Sequence, residues 1–137
     1  MRYAACYVAA RPNNIRWLKP FLNKDIGHLS IVYADCNSTA ERQVYCMLEP
    51  SIYGLQPIVL SAVTNEKELV EWFKTYNFRL LKVKNYDQKK IVITGIPNIF
   101  SCVSFIRYAI GIRSWSLFQT PRKLWDKLIK DGSKLLI

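Results

Sequence analysis

The chain has 137 residues, of which half are hydrophobic and 13% are aromatic. This length and composition exclude a disordered tail and predict one domain, residues 1–137, with a sizeable core. Twenty Lys and Arg residues against ten Asp and Glu residues give a formal charge of +10, which fits either contact with a polyanion or simple solubility.

The first half of the chain is dominated by strand patterns. Apolar and polar residues alternate with period two in several segments that are rich in β-branched and aromatic residues, as is typical of strands. The predicted strands are 2–10, 27–35, 43–50 and 58–63. Between the first two, the segment 13–22 is predicted to be a short helix or turn that Pro20 breaks or kinks.

Helices alternate with strands in the second half. In the segment 64–76, Asn65 and Glu68 have the spacing of a capping box, which predicts the start of a helix. Strands are predicted at 78–85 and 90–96, and an amphipathic helix is predicted to begin near Cys102. The last predicted helix has Thr120 as its N-cap and a proline in its first turn.

This order of elements predicts an α+β protein. The short connections between neighbouring strands favour an antiparallel sheet of four to six strands, with the helices packed on it.

Nothing in the sequence predicts a membrane anchor. The apolar run Tyr3 to Ala10 is at the short end for a signal peptide and is followed directly by Arg-Pro. The longest uncharged run, Ile91 to Ile106, contains a glycine and a proline and is too short to span a bilayer. We expect a protein without a transmembrane segment, soluble and either cytoplasmic or phage-borne.

The four cysteines are Cys6, Cys36, Cys46 and Cys102, and the only histidine is His28. Because no CxxC pair occurs, the spacing gives no support for a zinc site, and neither a metal nor another cofactor is expected. An even number of cysteines fits two disulfides in a secreted protein. A core of this size does not need them, so free thiols in a reducing compartment are favoured.

Three residues together suggest nucleophilic catalysis. Cys102 begins a predicted helix, whose N-terminus would favour the thiolate that attacks. His28 opens a strand and is the only conventional base, and Glu49 ends the next strand, beside His28 if the two pair antiparallel. Each residue also has an ordinary interpretation: a cysteine on an apolar stripe is usually core, and the other two fit turn or surface positions.

The segments "GHLSIVY", "VYCMLEPSIYGL" and "SCVSFIRYAIGI" occur in this order. Together they resemble the circularly permuted NlpC-like cysteine hydrolases, which include the YiiX-like and lecithin retinol acyltransferase-like groups of the papain-like fold. In that family a histidine opens a strand, a polar residue follows on the next strand, and a cysteine comes last, at a helix start. Ser101 differs from the pattern, because related sequences often have Asn or another polar residue before the cysteine.

The resemblance implies a papain-like sheet and a Cys-His-Glu triad of Cys102, His28 and Glu49. The activity would be that of an amidase, a peptidase, or an acyl-ester hydrolase or transferase, acting on an amide or ester such as a cell-wall peptide or a lipid. The backbone N–H of Cys102 would be one oxyanion donor. Candidates for substrate contact are Tyr3, Tyr7 and Ser101.

The end of the chain offers a different function. Residues 107–137 contain seven basic and two acidic side chains, which we expect to form a positive, anion-binding surface. Its candidate residues are Arg113, Arg122, Lys123, Lys127 and Lys130. This surface would hold an anionic substrate. In the alternative interpretation, it binds nucleic acid or another polyanion in a non-catalytic protein, helped by the aromatic residues Trp115, Phe118 and Trp125.

Overall fold

The computed structural model describes residues 3–12, 26–35, 43–51, 54–84, 101–110 and 120–137. In chain order the elements are β1 (Tyr3–Arg11), β2 (His28–Asp35), β3 (Tyr45–Ser51), β4 (Gly54–Val59), α1 (Glu66–Thr75), β5 (Arg79–Lys82), α2 (Ser101–Ile110), α3 (Pro121–Lys130) and β6 (Lys134–Leu135). The predicted segments 13–22 and 90–96 lie outside the described residues.

The strands form one six-stranded sheet in the order β4-β3-β2-β1-β5-β6. Every pair of neighbours is antiparallel. The α+β class and the antiparallel sheet predicted from the sequence are therefore confirmed. The central strands β1 and β2 pair along almost their full length, from Tyr3 opposite Asp35 to Arg11 opposite His28.

One side of the sheet, called here the α2 face, is covered by α2 and α3. Leu29 and Ile31 of β2 are buried there together with Val103 and Ile106 of α2 and Leu124 of α3. Helix α2 packs directly on β2 and β3. The first turn of α2 is thereby brought to the central strands of the sheet.

The opposite side, called here the α1 face, is covered by α1. Val32 and Ala34 of β2 are buried there with Leu69 and Phe73 of α1. Because successive side chains of a strand point to opposite faces, both sides of β2 are packed. The apolar alternation that predicts this strand therefore divides its residues between two separate cores.

The helix starts have the caps that the sequence predicts. The side chain of Asn65 accepts a hydrogen bond from the backbone N–H of Glu68 at 2.9 Å. Thr120 Oγ1 accepts one from the backbone N–H of Lys123 at 3.3 Å, and Pro121 follows at the first helical position. These bonds satisfy N–H groups that have no partner within the helix.

The structure corrects one strand and adds another. The strand predicted at 58–63 is β4, which runs over Gly54–Val59, because the connection from β3 is so tight that Ser51 pairs with Gly54. Residues beyond β4 instead form a turn, in which the N–H of Val63 donates to Leu60 O. Strand β6 is two residues long and was not predicted; it follows a turn at Gly132, where φ is +101°.

No helix in the described part of the chain is long and apolar enough to cross a membrane.

Candidate active site

His28 and Glu49 meet at one end of the sheet. His28 is the first residue of β2, and Glu49 follows Leu48 of β3, the partner of Ile31. The Nε2 atom of His28 lies 3.6 Å from Oε1 of Glu49. The antiparallel pairing therefore puts these two residues side by side, as the sequence predicts.

Arg11 is a third member of this group and is not among the residues that the sequence predicts. It is the cross-strand partner of His28 at the end of β1. Its Nη2 and Nε atoms donate to Glu49 Oε1 at 2.8 and 3.2 Å, and its Nη1 donates to Pro12 O at 3.3 Å. The signal available in the sequence was a charged residue closing an otherwise apolar strand, directly before a proline.

The surroundings of His28 favour the neutral imidazole. Burial lowers the pKa of His28 to about 4, and the positive charge of Arg11 acts in the same direction, whereas Glu49 acts against it. Its Nε2 atom is buried and has no hydrogen-bond partner among the described residues. At neutral pH the imidazole is therefore uncharged and has a ring nitrogen free to accept a proton.

Cys102 lies in the first turn of α2, where only 6% of the residue is exposed. It belongs to the cluster of buried residues on the α2 face that includes Leu29 and Val103. The backbone N–H groups of Leu29 and of the first helical turn act on the sulfur in favour of its anion. The thiol thus sits in a small group of backbone donors inside an apolar core.

Burial determines the protonation of this thiol. It raises the pKa of Cys102, and the backbone hydrogen bonds and the charge of Arg11 only partly offset that rise. The sequence predicts that the helix N-terminus favours the thiolate. The backbone N–H groups of this turn do act in that direction, but burial outweighs them and the net pKa is raised. Removing the thiolate from water destabilises it more than the N–H groups of the first helical turn stabilise it.

The sheet separates the sulfur from the imidazole. Leu29 packs with Cys102 on the α2 face, and the strand pleat directs the neighbouring His28 to the α1 face, with Val32 and Ala34. The sulfur is not a hydrogen-bond partner of His28 Nε2, which has none in the part of the chain the structure describes. The structure therefore brings His28 to Glu49, and Cys102 to the residue next to His28.

Tyr7, the one predicted substrate-contact residue whose side chain the structure describes, lies on the opposite face of the sheet from Cys102. Tyr7 is buried on the α1 face, and its hydroxyl donates to Glu66 Oε2 at 2.7 Å. Tyr3 and Ser101 belong to β1 and α2, but their side chains lie outside the described residues. Tyr7 thus links β1 to α1 through this hydrogen bond.

The predicted basic surface lies on α3. Arg122 and Lys127 form ion pairs with Asp126 and Asp131, one turn further along. The predicted residue Arg113 lies outside the described residues, as do Trp115 and Phe118.

Two lysines of α3 differ from their neighbours. Lys123 and Lys130 are exposed and have no ion pair with any residue that the structure describes. Trp125 is only 2% exposed, so its proposed part in polyanion binding is wrong: it packs in the core of the α2 face.

Among the described residues, no group of three His, Cys, Asp or Glu side chains could hold a metal ion.

Comparison with known protein families, curated proteins and solved structures found no match to this chain.

Proposed function

We propose that the protein is a cysteine hydrolase or acyltransferase with a papain-like, permuted NlpC-type arrangement, in which Cys102 is the nucleophile. One observation supports this proposal more than any other. Cys102, at a helix start, is buried in the same cluster as Leu29, the residue that follows the only histidine. His28 is neutral at pH 7 and lies beside Glu49, as a base and its orienting carboxylate would.

The reaction begins with a protonated thiol. Nδ1 of His28, the ring nitrogen that does not face Glu49, takes the proton as the sulfur bonds to the carbonyl carbon of an amide or ester. The backbone N–H of Cys102 donates to the resulting oxyanion. The bond to the leaving amine or alcohol then breaks, and the imidazolium protonates that group. Water, or an acceptor alcohol or amine, next gives a proton to His28 and attacks the thioester, which releases the product and restores the thiol.

This mechanism requires a rearrangement at the start of β2. The imidazole must reach the sulfur around the end of the strand when substrate is bound, because the two lie on opposite faces in the resting protein. Catalytic hydrogen bonds that are long or absent in an empty site commonly form only in the substrate complex. His28 is the first residue of its strand, so its side chain is at one end of the sheet.

Covalent capture tests the proposal. The protein is incubated with p-nitrophenyl esters, thioesters and peptide amides, and the acyl-protein is located by mass spectrometry of its peptides. We expect the acyl group on Cys102, no turnover in Cys102→Ala, and turnover reduced roughly 100-fold or more in His28→Gln. Cys46→Ala is the matched control and keeps full turnover, because Cys46 is a partly exposed thiol outside the proposed triad.

The proposal is contradicted if Cys46, the more exposed thiol, is acylated before Cys102, because the order of labelling would then reflect solvent exposure alone. Turnover that survives in Cys102→Ala, or a wild-type protein that is inert toward all three substrate classes, would also contradict it.

The second candidate function is non-catalytic binding of nucleic acid or another polyanion. The observation that favours it is the pair of exposed lysines on α3, Lys123 and Lys130, which no described carboxylate neutralises. They lie one above the other at a spacing of seven residues, two turns of the same helix face. Such a line of charge fits a polymer of phosphates better than a single small anion.

A further inference from the structure

The Arg11–Glu49 ion pair crosses the strand that carries His28. Arg11 belongs to β1 and Glu49 to β3, and β2 lies between them in the sheet. The Nε and Nη2 atoms of Arg11 both donate to the same carboxylate oxygen, Oε1, which also lies 3.6 Å from His28 Nε2. The guanidinium is held at its other side by Pro12 O, the carbonyl of the next residue in the chain.

The ion pair lies over buried polar atoms that are otherwise unsatisfied. His28 Nε2 and Ser30 Oγ are both buried, and neither has a hydrogen-bond partner among the described residues. Ser30 is directed to the same face as His28, two residues along β2. An unpaired polar atom in a protein interior is costly and usually reflects a functional demand or a bound water.

Two charged groups among the described residues act on the imidazole, Arg11 from β1 and Glu49 from β3. If Glu49 were free, its carboxylate would pair with an imidazolium and stabilise the charged form. Arg11 donates from two of its three nitrogens to that carboxylate and adds a positive charge on the other side of His28. A protonated imidazole would thus face a cation and a carboxylate that is already neutralised.

We propose that Arg11 is a positioning residue that fixes Glu49 across β2 and holds the His28 imidazole in its neutral, proton-accepting form. This role deepens the proposed function and rests on it, because a neutral histidine beside a protonated thiol is the form that general-base attack needs. Arg11 does not touch the substrate; it acts through Glu49 and through its own charge. Arg11 therefore helps to determine the pH range in which His28 is neutral and can act as a base.

The test uses the fact that His28 is the only histidine. Long-range ¹H–¹⁵N spectra of the imidazole, recorded from pH 3 to 8, give its protonation without any substrate. We expect a midpoint near 4 in the wild type and a rise of about one pH unit or more in Arg11→Gln. Glu49→Gln should not raise the midpoint, because it removes the one group that favours the imidazolium.

Two further variants make the result decisive. Lys123→Gln removes an exposed positive charge from α3 and is the control for a general charge effect; its midpoint should equal that of the wild type. Arg11→Lys keeps the charge but loses the fork of two donors to one oxygen, so its midpoint should rise by less than that of Arg11→Gln. It also provides a readout if Arg11→Gln does not fold.

The proposal is overturned if neither Arg11 variant moves the His28 midpoint beyond the change in Lys123→Gln. Because the measurement needs no turnover, an inactive protein whose midpoint rises in Arg11→Gln supports this role of Arg11 and contradicts the proposed function alone. An active protein whose midpoint does not move contradicts this role alone.

Discussion

Cys102 of α2 and Leu29 of β2 are buried in one apolar cluster at the interface of these two elements, one residue away from the only histidine of the chain. This contact places a helix start against the first residues of the central strand. It also puts the sulfur and the imidazole on different faces of the sheet. This position of Cys102 suggests the proposed chemistry. It also means that the His28 side chain must move at the start of β2 before it can reach the sulfur.

Replacing Cys102 should separate chemistry from stability. Cys102→Ser should abolish acyl transfer but lower the free energy of unfolding by only about 1 kcal/mol, because the hydroxyl keeps an acceptor for the nearby backbone N–H groups. Cys102→Ala should be less stable than Cys102→Ser, since it leaves those N–H groups without an acceptor in a buried cluster. Urea unfolding followed by circular dichroism gives both values, and a serine variant less stable than the alanine variant would contradict this account.

Acid should destabilise the protein through His28. Its pKa is about 4 in the folded chain and 6.5 in the unfolded chain. Between these values the unfolded state binds more protons, so stability is complete above pH 6.5 and falls as the pH falls toward 4. From pH 7 to pH 5 we expect a loss of about 2 kcal/mol. His28→Gln has no such proton to bind, so over this range its unfolding free energy should change much less. Equal pH dependence in the two proteins would show that the imidazole is not buried in its neutral form.

The hydrogen bond from Tyr7 to Glu66 should stabilise the attachment of α1 to the sheet. Tyr7 is buried, its hydroxyl donates to Glu66 Oε2 at 2.7 Å, and Lys82 donates to the same oxygen at 2.8 Å. Tyr7→Phe removes one donor and should cost about 1 kcal/mol in thermal or urea unfolding. Tyr76→Phe is the matched control, because Tyr76 is 59% exposed, and it should leave stability unchanged. A loss of the same size in both variants would exclude a specific contribution from the buried bond.

Charge reversal tests the basic surface of α3. Changing Lys123 and Lys130 to Glu should weaken binding to heparin or single-stranded DNA at least about tenfold at low salt and reduce the salt dependence of the affinity. The control reverses Lys67 and Lys74 of α1, which are also exposed, and carries the same net charge. Fluorescence anisotropy measures both proteins. Equal weakening in the two would mean that only net charge matters, and no weakening would mean that the charge of α3 serves solvation alone.

Local patterns explain why much of the fold could be predicted. The alternation in residues 27–35 predicts β2 to within one residue, and the capping residues Asn65 and Thr120 predict where α1 and α3 begin. These signals depend on contacts between near neighbours in the chain. Strand β6 has no such signal, because a two-residue strand is specified only by the edge of β5 with which it pairs.

The site was predicted in part for the same reason. Antiparallel pairing of consecutive strands is a local rule, and it was enough to place Glu49 beside His28. The role of Arg11 depends on the pairing of β1 with the other side of β2, which brings Arg11 opposite His28. No pattern in residues 27–50 indicates that pairing, so the sequence does not predict this contact.

The sequence by itself determined the α+β class, the antiparallel sheet, the starts of the helices and the nearness of His28 to Glu49, because each follows from periodicity, capping or the pairing of adjacent strands. Only the tertiary structure decided which side of the sheet each helix covers. That choice buries the thiol of Cys102 on the α2 face, directs His28 to the α1 face, and joins Arg11 to Glu49 across β2. The reason is physical: the side chain of a residue is exposed, buried or charged according to groups that are distant in the chain and that only the packing of the whole sheet brings near.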